Sequence, residues 1–236
     1  MRMRLTLFAV FILLVLLCGF TLFSPGRIML HMESRQLQGG KVATVEARLF
    51  YEAWDGKLIT RFEKPAGQVM VTNRHGELTI YDEDDNSVYR TQSVEYSSEN
   101  NLVYYFLSGR TQDLGLREMG FTNSRTDFED GLMITRWSPP SSLTHLFSHI
   151  ELVHDDYMPV YAGYYDAGGE LVKEVYYDEY EVLADLILPR SITEFNYLAS
   201  GDSIVSRVRL SDIRINREAE SSWFDFKVPD DARIVE

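Results

Sequence analysis

The sequence predicts an α+β protein built on one antiparallel sheet, with about ten strands and two or three short helices. Three observations carry that expectation. Beyond residue 40 most of the chain alternates apolar and polar residues with a period of two. Turn chemistry (Gly, Asn, Asp, Pro) interrupts these runs about every ten to fifteen residues, as in a meander. Helix signals are confined to a few short stretches. A meander of that many strands must curl or close, because a flat open sheet leaves long unpaired edges.

The elements follow in order. Ile28 to Gln38 has helical spacing and stops at Gly39-Gly40, so a short helix is expected there. In VEARLFYEAW, Val45, Ala47, Leu49, Tyr51 and Ala53 share one face of a half-buried strand, with Glu46, Arg48 and Glu52 on the other. Asp55-Gly56 signals a hairpin and KLITRFE returns. QVMVTN follows Pro65-Ala66-Gly67, and GELTIYDEDDNSVYR reads as two strands around an acidic loop. SSENNLVYYFLSG is a capped helix, with Ser97, Ser98 and Glu99 before it and Gly109 as its stop. Residues 110–130 are broken by Gly115 and Gly120 and stay ambiguous. GLMITRW is a strand, and Pro139-Pro140 opens a short helix through His149. From IELVH to SIVSRVRLSDIRIN the chain is nearly all strand, turning at Asp166–Gly169 and Ala199–Asp202.

Residues 1–26 are read as a signal peptide or N-terminal membrane anchor, and 27–236 as a single domain. Arg2 and Arg4 precede the uncharged run Leu5–Phe23, which is long enough to serve as a transmembrane helix into the inner membrane if uncleaved. Cys18, the single cysteine, follows Leu17 rather than a small residue, so cleavage, retention and lipidation at Cys18 all stay open. The expected location is exported and periplasmic, without disulfides. Acidic residues outnumber basic ones by 36 to 23, which argues against a nucleic-acid partner.

Two stretches resemble the LolA-like outer-membrane lipoprotein carriers of the lipoprotein-sorting superfamily. The first is KPAGQVMVTNRHGELTIYDEDDNSVYR, with Pro65, Val69–Thr72, Gly76, Leu78–Tyr81 and Asp82–Asn86 at the family's positions. The second is the ending, with Asn216, Phe224, Phe226, Pro229, Ile234 and Val235. The resemblance implies a curved antiparallel sheet forming an incomplete β-barrel covered by short helices. It implies a non-enzymatic carrier for a lipid or an acylated protein in protein transport, with membrane donor and acceptor proteins as partners. It also implies that Phe224 and Phe226, flanking polar Asp225, point inward and plug the barrel. The family's Lys/Arg-Arg-Pro element has no counterpart: AWDGKL stands in its place, and Arg61 belongs to no matching motif.

No catalytic fingerprint, cofactor motif or metal set is expected. His145 and His149 are four apart with His154 and Asp155 beyond, but no HExxH is present. Asp82, Asp84 and Asn86 alternate as in a calcium loop, yet Ser87 and Ser93 stand where Gly and Glu are required, so a solvated hairpin turn is expected. Strand parity proposes a hydrophobic hollow for ligand binding lined by Leu49, Tyr51, Phe62, Val69, Val71, Leu78, Ile80, Ile134 and Val160. The helix around Leu102–Phe106 and residues 110–130 are the candidate lid. Tyr161, Tyr164, Tyr165, Tyr176, Tyr177 and Tyr180 crowd two paired strands, where at most half can face a hollow. The second functional reading is a membrane-tethered interaction or sensor module of the same fold whose interior is filled by its own side chains.

Overall fold

The computed structural model describes residues 26–93, 96, 102–184 and 186–235. The described strands are β1 (Arg27–Gln38), β2 (Lys41–Glu52), β3 (Lys57–Lys64), β4 (Ala66–Thr72), β5 (Glu77–Asp82), β6 (Ser87–Gln92) and β7 (Thr122–Glu129). They continue as β8 (Leu132–Ser138), β9 (Phe147–Asp155), β10 (Met158–Asp166), β11 (Leu171–Leu183), β12 (Leu186–Tyr197), β13 (Ser203–Ile215) and β14 (Arg233–Val235). One α-helix is described, α1 (Leu102–Leu107). All fourteen strands join one sheet in the order β14-β6-β5-β4-β3-β2-β1-β13-β12-β11-β10-β9-β8-β7. The sheet is open, with β14 and β7 at its edges. Every pairing is antiparallel except β14 on β6.

That order is two meanders back to back. The chain walks from β1 out to β6, crosses to the far edge at β7, then walks back to β13, which closes on β1. Laid flat, fourteen strands would span about 60 Å. Yet one core gathers Leu58 of β3, Tyr51 of β2, Ile150 of β9 and Trp137 of β8 with the short α1. A six-residue helix is only about 9 Å long, so strands from both halves reach it because the sheet curves around it.

Ile28–Gln38, expected as a helix, is instead β1, paired along its length with both β2 and β13. Its first half is buried on both faces: Ile28 and Leu30 in the concave core, Met29 in a second core on the opposite, outer face. Burial on both sides erases the period-two signal, and the continuous apolar run that remains looks helical. The expected helix from Pro139 to His149 is likewise corrected, because residues 141–146 form turns and β9 begins at Phe147. Residues 110–130 divide into a turn segment up to Phe121 and the edge strand β7, whose residues are nearly all exposed and carry no apolar alternation. The Asp55-Gly56 hairpin forms as expected, with Gly56 at φ 67 and the Asp55 carboxylate accepting from the Lys57 amide at 2.9 Å.

Among the described residues no helix is long and apolar enough to cross a membrane, so the transmembrane helix expected of this chain has no counterpart among them. Leu5–Phe23, Cys18 and the expected helix cap Ser97–Glu99 lie outside the described residues.

The closing aromatics do not plug the concave side. Residues 222–225 form a 3-10 turn rather than a strand, so alternation gives no guide to their direction. Phe224 (1% exposed) and its neighbours pack on the outer face against Phe50, Ile59, Val69, Tyr81 and Val88. Trp223 stacks between Phe50 at 6.1 Å and Phe226 at 5.5 Å, and the Arg61 guanidinium lies 4.6 Å over its ring. Arg27 covers the Phe224 ring at 4.8 Å while pairing with buried Glu52 at 2.8 Å. Lys57 donates to the Phe224 carbonyl at 2.8 Å, and β14 then adds to β6 with Ile234 opposite Val88.

Candidate functional site

The concave face is apolar across both meanders, and its cover is small. Val103, Tyr104, Tyr105, Phe106 and Leu107 of α1, with Leu114, Leu116 and Phe121 after it, fill the hollow that the strands enclose. Phe106 is fully buried, its ring 5.4 Å from Tyr177 and 6.4 Å from Tyr180. Tyr104 meets Tyr51 edge-on at 5.7 Å, and Phe121 meets Phe147 at 6.3 Å. Pairs of this kind add about 0.5–1.5 kcal/mol each beyond their burial. Gly115 allows the cover to seat: its φ is +80 and the Tyr105 ring lies so close that a Cβ would fall 2.2 Å from Cζ.

The nine proposed lining residues separate by face. Leu49, Tyr51 and Phe62 belong to or pack on the concave core. Leu78 and Ile80 share that face through the registers Leu58↔Thr72↔Leu78 and Thr60↔Met70↔Ile80. Val69 and Val71 lie on the outer face in the second core, beneath the closing aromatics. Ile134 also points outward, because its neighbours Thr135 and Trp137 take the inner register opposite Leu152 and Ile150. Val160 is half-buried at the shift in pairing between Pro159↔His154 and Tyr161↔Val153. Which parity faces inward therefore changes from strand to strand, and within β9, β11 and β13 it shifts along the strand, where Phe147 and Ile150, Tyr177 and Tyr180, and Leu210 and Ile213 all face the concave core.

The tyrosines divide likewise. Tyr164, Tyr177 and Tyr180 face the concave core. Tyr161 and Tyr176 pair on the outer face, rings 5.2 Å apart, and Tyr165 stacks there on His149 at 4.2 Å. Burial pushes the Tyr164 hydroxyl up to about 12 and raises Tyr177 well above its ordinary value. The Tyr177 hydroxyl is buried with no hydrogen-bond partner among the described residues. A group in that state costs about 1–3 kcal/mol. Its direction was not readable from the sequence, since the run Tyr176-Tyr177 offers one ring to each face.

Two cavities open along the seam between cover and strands. One of about 300 Å³ is lined by Gln112 and Arg117 of the cover and by Thr135, Trp137, His154 and Tyr157. The other, of about 170 Å³, lies between Gly109, Thr111 and Gln112 of the cover and Tyr157, Pro159, Tyr180 and Ile187. His154, 2% exposed, fastens the cover at this seam, its Nε2 3.4 Å from the Thr111 carbonyl. A carbonyl only accepts, so Nε2 carries the proton, and Nδ1 has no partner among the described residues. Burial lowers the His154 pKa, against the opposing pull of Thr111 and Asp113.

The histidines are not assembled: His145 lies in a turn, His149 on the outer face and His154 inside. Among the described residues no three His, Cys, Asp or Glu side chains gather to hold a metal ion. In the acidic loop the Asp82 carboxylate accepts from the Asp84 and Asp85 amides, both at 3.0 Å, and these bonds, Asp85 foremost, lower its pKa. Arg61 faces outward over Trp223, away from the cover.

No family model matches the sequence, and no curated protein matches it. Solved structures do. A DUF1329 family protein from Desulfovibrio piger aligns with TM-score 0.60 and 14% identity over 86% of this chain and 91% of that one. A domain assigned to outer membrane lipoprotein sorting from Vibrio parahaemolyticus gives 0.59 and 17% over 85% and 89%. A LolA superfamily protein from Nitrosomonas europaea gives 0.56 and 14% over 87% and 92%. The open antiparallel sheet wrapped around one short helical cover is accordingly the LolA-like fold.

Proposed function

We propose that this chain is an exported, periplasmic, non-enzymatic carrier that holds a lipid, or the acyl chains of a lipoprotein, against the concave face. The observation that carries the reading is the nature of the closure. A broad apolar surface, formed by both meanders, is sealed by one short helix and the turn segment to Phe121. Displacing that cover exposes Leu49 and Tyr51 with Phe62 beside them, and Leu78 and Ile80 continue the same face of the sheet. An acyl chain entering there gains about 0.8 kcal/mol per buried methylene, which offsets the loss of the cover's own contacts. The Tyr177 hydroxyl, buried without a partner among the described residues, offers a donor to a carbonyl oxygen of the cargo. Likeness of fold to a lipoprotein-sorting domain supports the class of cargo. Donor and acceptor proteins at the two membranes would complete such a pathway.

A second reading, an interaction module with a self-filled interior, is favoured by the completeness of the filling, with Tyr104 and Phe106 at 1% and 0% exposure. Native mass spectrometry of the gently purified protein, joined to displacement of a fluorescent acyl probe, separates the two. A carrier yields a co-purifying lipid mass and probe binding that Phe62→Asp abolishes and Val71→Asp, on the outer face, leaves intact. Both side chains are half-buried, and circular dichroism spectra matching the wild type are required of each variant before binding is compared. A clean mass with no probe binding selects the module.

A further inference from the structure

The outer face carries an arginine cluster far from the closing aromatics and unrelated to the concave core. Arg35 of β1 stands directly opposite Arg207 of β13 in the antiparallel register. Opposed residues on one face have Cβ atoms about 4.5–5.5 Å apart, and like charges so placed repel. Arg209 lies two residues along β13, about 7 Å away on the same face. The face is certain from the alternate residues, because Val208 and Leu210 pack into the concave core. The three guanidinium groups and Glu33 line a surface cavity of about 380 Å³.

Carboxylates leave this charge incompletely matched. Glu33 pairs with Arg35, and Arg209 reaches Glu179 only at 3.7 Å, with both side chains 57% exposed. Arg207 gives its Nε to the Thr193 hydroxyl at 3.2 Å and has no carboxylate within ion-pairing distance among the described residues. In a chain of net charge −13, two opposed arginines of which only Arg35 has a carboxylate partner form a local exception. The neighbouring row on the same face is apolar: Phe195, Val205, Leu37 and Val42 follow one another across β12, β13, β1 and β2. Leu37 is 44% and Val42 64% exposed.

We propose that Arg35, Arg207 and Arg209 form a binding site for the phosphate of an anionic phospholipid head group, whose apolar portion lies along Phe195, Val205, Leu37 and Val42. A phosphate oxygen set between opposed guanidinium groups turns their repulsion into charge-assisted hydrogen bonds, and Arg presents the paired donors that such an anion fits. A bare phosphate would use the arginines but leave the apolar row unexplained. The site goes beyond the carrier reading and does not depend on it, because it uses the other face of the sheet.

The test is isothermal titration of the full-length protein with dihexanoyl-phosphatidylglycerol, dihexanoyl-phosphatidylcholine and inorganic phosphate, for wild type, Arg207→Gln and Arg35→Gln. The phosphatidylglycerol is expected to bind, to weaken as salt is added, and to lose about tenfold in affinity in either variant, as for removal of one charged hydrogen bond. It should also raise the thermal midpoint of the wild type and not of Arg207→Gln. Both arginines are exposed, and their circular dichroism spectra should match the wild type. The proposal is overturned if phosphatidylcholine binds equally well, if inorganic phosphate binds as tightly as the lipid, or if neither substitution alters binding. Loss of the acyl probe from the concave face under Phe62→Asp leaves this titration unchanged, so the two readings fail separately.

Discussion

His154 shows how one side chain joins the cover to the sheet. It sits on β9, its Nε2 proton directed at the Thr111 carbonyl in the cover. Its pKa is lowered from 6.5 chiefly by burial, so the unfolded chain binds the proton more readily than the folded one. Stability is therefore full above the unfolded value and is lost as pH falls through 6.5 toward the lower folded value. The thermal midpoint is expected to drop between about pH 7.5 and about pH 5, and His154→Gln, which retains a donor for Thr111, should flatten that drop. Thermal melts across that range settle it, and an unchanged slope in the variant would remove His154 from the account. His149, half-buried and also lowered by burial, supplies the residual slope. Of these facts the sequence offered only the histidine's position, because burial and the Thr111 contact join residues 43 apart.

The cover behaves as a distinct unit because of how it is built. Six helical residues are too few to be stable alone, so α1 persists only through the apolar side chains it inserts. The strands it rests on are held by ladders on both sides, whereas α1 joins no ladder. Amide hydrogen exchange is expected to be fastest for residues 102–121 among the buried segments and slowest in β1, β12 and β13. Gly115→Ala, which forces a Cβ into the Tyr105 ring, should speed exchange in the cover alone. Uniform exchange across cover and strands would mean that the interior opens only by global unfolding, which contradicts a carrier. The sequence located α1 from Leu102, Tyr105 and Phe106 at helical spacing. It did not reveal β7, an exposed edge strand stabilised by its pairing with β8 rather than by an apolar face.

Across the molecule the sheet holds two cores, one on each face, and the C-terminal segment exists to cover the second. Met29, Phe50, Ile59, Val69 and Val88 would be exposed to water without Ala219, Trp223, Phe224 and Phe226. Burial of a large apolar side chain is worth about 1.5–3 kcal/mol, so several lost together exceed much of a domain's usual stability margin. A chain ended after Ile215 keeps β13 whole but loses this cover. It is expected to bind hydrophobic dyes strongly, and its chemical denaturation should shift to lower denaturant by several kcal/mol of stability. Cooperative unfolding at the wild-type midpoint would refute the second core's importance.

The local signals in the chain were enough for the class of fold, the positions of most strands, the hairpin at Asp55-Gly56 and the helix at Leu102, because each depends on neighbours close in sequence. The resemblance at Pro65–Asn86 and at Phe224–Val235 extended that to the LolA-like architecture. Three-dimensional packing settled the rest. Alternation says that residues two apart share a face but not which face is concave, so Val69, Val71 and Ile134 were placed inward and lie outward. A strand buried on both faces loses its alternation, which concealed β1. The closing aromatics follow 3-10 geometry, and their place on the outer face depends on Phe50, Arg61 and Lys57, residues more than a hundred and fifty positions earlier in the chain.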